Sequence, residues 1–72
     1  MSKQYEKLTI LRRKQVEDRT GLSKSTIYLS IQDGTFPKPI KLGERAVGWL
    51  AHEVEAWLVL RIENRDIGQE VR

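Results

Sequence analysis

The sequence predicts a small, mainly α domain carrying a β-hairpin (α+β), and three observations predict it. The chain has 72 residues and no cysteine, which allows one modest apolar core with neither disulfides nor thiolate-bound zinc to brace it. A glycine separates two short stretches of helical spacing, and two prolines separate the second of these from the C-terminal half of the chain. Two short alternating runs then flank Gly43-Glu44-Arg45, the pattern of antiparallel strands joined by a tight loop.

Taken in order, residues 8–11 (Leu-Thr-Ile-Leu) are β-prone but too few to stand alone, so they predict a short strand that pairs with a later one. Residues 13–20 predict a helix of about two turns with Val16 facing inward, without a good N-cap, and with Gly21 free to take a positive φ just past its end. Ser23 is a strong N-cap for a second helix over residues 24–32, on which Ile27, Tyr28 and Ile31 lie three and four apart before Asp33-Gly34 ends it. Thr35-Phe36-Pro37-Lys38-Pro39 is an extended connector, because proline donates no amide and pushes its predecessor out of the helical region. Strands over 40–42 and 46–50 form the hairpin. Val54, Trp57, Leu58, Arg61 and Ile62 then mark an amphipathic helix over 51–64. Residues 1–6 and 66–72 have the polarity of flexible tails, and no repeat or linker divides the chain, which predicts a single domain.

The formal net charge of +3 is unevenly spread. Residues 1–11 contribute +1, residues 12–45 contribute +4 from eight bases against four acids, and residues 46–72 contribute −2. A basic middle is compatible with a polyanion-facing surface. No apolar run approaches the roughly 18 residues of a membrane span, and the N-terminal stretch lacks a signal-peptide h-region, so a cytoplasmic protein is expected.

The informative stretch runs from Gln15 to Tyr28: a short helix, a glycine turn, then a capped second helix with its apolar residues on one side. This is helix-turn-helix grammar. Leu22 fills the angle between the helices, and Val16 with Ile27 closes their small core. The outward face of the second helix offers Ser23, Lys24, Ser25, Thr26 and Gln32. Short polar side chains around one base let a helix N-terminus approach a major groove, donate to phosphates and reach base edges. A plain pair of helices whose Ser and Thr only cap would share this pattern. The hairpin loop, with Lys41 and Arg45 beside a tight turn, has the form of a wing that reaches a phosphate or the adjacent minor groove. Lys38, held between prolines, suits a phosphate contact or a plain connector equally. The Tyr28 ring suits packing under the wing, with its hydroxyl toward a phosphate.

The runs Thr20-Gly-Leu-Ser-Lys-Ser-Thr-Ile-Tyr28, Asp33-Gly-Thr-Phe-Pro-Lys-Pro-Ile-Lys-Leu-Gly43, Arg45-Ala-Val-Gly-Trp-Leu50 and Glu53-Val-Glu-Ala-Trp-Leu58 resemble the AlpA family of small prophage transcriptional regulators, in order over residues 8–65. The resemblance implies a winged helix-turn-helix DNA-binding domain of the MerR-like and excisionase-like type. It also implies a recognition helix from Ser23 to about Gln32, with Tyr28 beside the DNA, and a wing centred on residues 43–45. Two positions depart from the family pattern. Leu29 stands where relatives often carry a base after the tyrosine, and Ala51-His52 stand where better helix-capping residues are common.

The remaining candidates are read more plainly. Trp49, Trp57 and Phe36 are expected in the core. His52 is expected to be exposed, and a lone histidine without cysteine partners makes no metal site. No nucleophile, base and orienting group can be assembled, and no phosphate-binding glycine loop is present, so neither catalysis nor a cofactor is expected. Leu29, Ala56, Val59 and Leu60 fall off the inward stripes and point to self-association on DNA or docking of an integrase or other protein. The expected partner is double-stranded DNA. Transcription control of an integrated element is the leading reading. An excisionase-like architectural factor, or a protein-binding adaptor or inhibitor, are the alternatives.

Overall fold

A computed structural model describes residues 8–65. They form β1 (Ile10–Leu11), α1 (Arg13–Thr20), α2 (Lys24–Asp33), β2 (Ile40–Lys41), β3 (Val47–Leu50) and α3 (Ala51–Asn64). The α+β winged helix-turn-helix expected from the sequence is therefore the observed arrangement. The tails expected at 1–6 and 66–72 lie outside the described residues.

β3 is the centre of an antiparallel sheet of order β1-β3-β2, with Ile10 opposite Leu50, Leu11 opposite Trp49, Ile40 opposite Gly48 and Lys41 opposite Val47. The strands are shorter than the apolar runs predict. β1 pairs only over Ile10–Leu11, although the Thr9 carbonyl still accepts the Ala51 amide at 2.8 Å. Leu42 and Ala46 fall outside the ladder because they close the loop instead: the Leu42 and Gly43 amides both donate to the Ala46 carbonyl, at 2.8 and 3.2 Å. Gly48 is required where β3 is flanked on both sides. A Cβ there would run into Cγ2 of Ile10 and lie 3.1 Å from the Leu11 carbonyl oxygen.

The helix turn is fixed by backbone and short side chains. Gly21 takes φ 75° and donates to the Glu17 carbonyl at 2.7 Å, while the Thr20 hydroxyl donates to Val16 O and accepts from the Leu22 amide. α1 has no N-cap side chain on its amides, as expected. Gln15 instead reaches back, its Oε1 accepting from the Arg12 amide at 2.8 Å. α2 runs one residue further than predicted, to Asp33. Gly34 at φ 83° donates to Ile31 O, and the Thr35 amide donates to Ser30 O, a Schellman closure that satisfies the last carbonyls.

Leu11, Val16, Ile27, Phe36, Trp49 and Val54 are buried, with Leu22, Ile31, Val47, Ala51 and Trp57 packed around them. Both indoles bind the proline connector: Trp49 Nε1 donates to Pro37 O at 2.9 Å and Trp57 Nε1 to Thr35 O at 2.7 Å. A segment that cannot pair in a sheet thus finds donors for its carbonyls in the side chains packed beneath it. Phe36 meets Trp57 edge to face at 5.0 Å. The inward stripe of α3 is shorter than its periodicity predicts. Val54 is buried and Trp57 and Leu58 half-buried, but Ile62 is 51% exposed, one turn beyond Leu58. The Arg61 guanidinium lies 4.8 Å from the Trp57 ring centroid, covering part of the indole.

Candidate nucleic-acid interface

α2 presents its first turn to solvent. Ser23 caps it, with Oγ accepting from the Thr26 amide at 3.2 Å and donating to Thr26 Oγ1 at 3.0 Å. Lys24, Ser25 and Thr26 are exposed, and Gln32 is exposed in the last turn, one turn beyond Tyr28 on the same side of the helix. Ile27 is fully buried in the core that Val16 and Trp49 share, which fixes the rotation of the helix and leaves Lys24, Ser25 and Thr26 at the surface around it, with Ser25 pointing directly away from the core. Among the described residues Lys24 makes no ion pair, and its charge faces water uncompensated.

Tyr28 stands between that face and the hairpin. Its ring packs edge to face on Trp49 at 6.3 Å, and the residue remains 37% exposed. It lines a cleft together with Arg12, Arg13, Lys14, Arg45 and Val47. The start of α1 and the hairpin loop thus approach one another across Tyr28. Arg12 ties the start of α1 to β3, because its Nε donates to the Val47 carbonyl at 3.0 Å. Arg13 is paired with Glu17 one turn along α1.

The sequence candidates therefore fall into separate places. Ser23 and Thr26 are hydrogen-bonded to each other, with Lys24 and Ser25 between them in the chain. Tyr28 and Arg45 share the cleft. Lys41 is exposed on β2, opposite Val47 in the ladder. Lys38 lines a different depression, formed with Pro37, Glu53, Ala56, Trp57 and Leu60. Leu29, Val59 and Leu60 are 60%, 48% and 58% exposed, as their positions off the inward stripes require.

Arg12, Arg13 and Lys14 are not among the sequence-derived contacts. The available signal is a run of three bases at a helix start, inside the segment that carries the charge excess. The cleft they line becomes visible only when the hairpin folds back over the helix. His52 is exposed on the first turn of α3, and no group of metal-ligating side chains occurs among the described residues. None of the helices among them is long and apolar enough to cross a membrane.

Known proteins match most of the chain. A family model described as Prophage CP4-57 regulatory protein (AlpA) matches residues 9–62. The uncharacterised protein ORF88 of Enterobacteria phage P4 is 45% identical over 60 residues, covering 83% of this chain and 68% of that protein. The DNA-binding transcriptional activator AlpA of Escherichia coli K12 is 40% identical over 58 residues, covering 72% of this chain and 83% of its own.

Proposed function

The chain belongs to the AlpA family of prophage regulatory proteins, and from that premise we propose that it is a sequence-specific DNA-binding regulator of transcription in a prophage or related integrative element, not an enzyme. α2 reads the major groove with Lys24, Ser25 and Thr26, and the loop of residues 43–45 contacts phosphate or minor groove. The observation that supports this reading is an exposed, capped start of α2 one turn before Tyr28, which itself lines a cleft with basic groups of α1 and the hairpin. Short hydroxyl and amide donors suit base edges and phosphates, while the basic residues supply the sequence-independent attraction. The chain's relation to a named DNA-binding activator supports it.

Selection of duplexes from a random pool, followed by binding at several salt concentrations, tests the proposal. An enriched sequence whose affinity falls steeply with salt is the expected result. Failure to bind any duplex at low salt overturns it. One selected site overlapping a promoter supports regulation, whereas repeated sites with DNA bending support the excisionase-like role.

A second reading is favoured by the outward face of α3. Ala56, Val59 and Leu60 stand exposed there beside the depression that Pro37 and Trp57 line. We propose that this face supports self-association on DNA or docking of a recombinase. Sedimentation that shows only monomer at high concentration, with and without DNA, removes the self-association version.

A further inference from the structure

We propose that the cleft between the start of α1, Tyr28 and the hairpin loop is a phosphate seat, taking a backbone phosphodiester of duplex DNA at a place separate from the base-reading end of α2. The inference rests on the DNA-binding reading above and assigns a ligand to one part of that surface.

Arg12, Arg13 and Lys14 from one end of the fold and Arg45 from the hairpin line a single concave space. Among the described residues one carboxylate, that of Glu17, forms an ion pair with these bases, and it engages Arg13; Lys14 and Arg45 have none, although Glu44 is next to Arg45 in the chain. Gathering like charges destabilises a compact state, and a polyanion laid across the cleft reverses that repulsion. Lys14 and Arg45 give the fold neither an ion pair nor a side-chain hydrogen bond among the described residues, whereas binding gains from each of these charges.

Arg12 is the positioning residue. With its Nε held on Val47 O, the guanidinium is tied across the junction of α1 and β3, and its two terminal nitrogens are left as donors in the planar fork that phosphate oxygens accept. Tyr28 adds a hydroxyl on a ring already fixed against Trp49. Because Tyr28 lies four residues beyond Lys24 on α2, and so on the same side of the helix one turn along, a phosphate seated here also sets where that first turn lies along the groove.

The test uses the full chain and a duplex selected from a random pool. The double variant Lys14→Gln/Arg45→Gln should keep its sequence preference while the slope of log K against log salt falls by about 2, with affinity about 10- to 100-fold lower at about 0.15 M salt. Arg12→Lys, which keeps the charge but loses the fork, should weaken binding about 3- to 10-fold with the slope unchanged. Thermal melting without DNA should show the double variant at least as stable as the parent, which separates lost contacts from lost fold. A parent that binds while the double variant keeps its full salt slope overturns the phosphate seat, and with it any phosphate contact by Arg45 of the loop, and leaves DNA binding through α2 standing. A parent that binds no duplex at low salt overturns both.

Discussion

Ser23 shows how one side chain serves structure before it serves contact. Its hydroxyl is engaged twice with Thr26, so Ser23→Ala should cost about 1 kcal/mol of stability. Calorimetry should record this as a fall in Tm of about 4–8 °C. Lys24 has no such structural tie. Lys24→Ala should leave Tm within about 2–4 °C, since surface substitutions away from packing cost less than about 0.5 kcal/mol, and lower the salt slope of duplex binding by about 1. Thr26→Ala should instead change which sequences are enriched, read by repeating the selection on the variant. At this scale the polar face of α2 was legible, because capping and helical spacing are local. The roles of Arg12, Arg13 and Lys14 were not, because the partner that orients Arg12 is a carbonyl 35 residues further along the chain. Lys38 shows the converse. Its charge and its place between prolines are plain in the sequence, but only the packed α3 reveals that it borders a depression with Trp57 and Leu60.

Among elements, β3 carries the most, since it pairs on both edges and supplies the fully buried Trp49. Gly48 makes that double pairing possible. Gly48→Ala should lower stability by about 1–3 kcal/mol, because Ile10 can swing aside but the Leu11 carbonyl, 3.1 Å from the new methyl, belongs to the backbone. Circular dichroism melts would measure the loss, and an unchanged Tm would mean that β1 yields more easily than its pairing implies. Every helix and strand of the described residues was legible from periodicity and punctuation. Their ends were not, because the ends depend on which amides find partners: Ala46 O takes two amides in the loop, and Thr35 completes the closure of α2. The inward stripe of α3 was over-read at Ile62 for a related reason. Periodicity describes a helix face, and the length of the core beneath it decides how much of that face is covered.

At the scale of the whole molecule, the described residues are held by a core of six buried side chains, so the stability margin is narrow. The Arg19–Glu55 pair between α1 and α3, at 3.2 Å and exposed on both sides, adds little to it. If the buried core is confined to residues 8–65, that fragment should melt in one transition within about 4 °C of the full chain, the shift expected from about 0.5–1 kcal/mol or less. A split or strongly lowered transition would show that the core extends beyond these residues. Binding should widen the margin: a duplex at about 100 times its Kd raises stability by about 2.7 kcal/mol, visible as a concentration-dependent Tm. The two tryptophans give the surface one more property. Between them they tie down the carbonyls of Thr35 and Pro37, on the stretch that leads from α2 to the hairpin. α2 and the hairpin loop are thus set like the jaws of a caliper whose screw is locked. Adding or removing one residue between Gly34 and Ile40 would change the gauge rather than the composition, and if α2 and the loop both contact DNA as proposed, such a variant should enrich duplexes of altered spacing in a repeated selection.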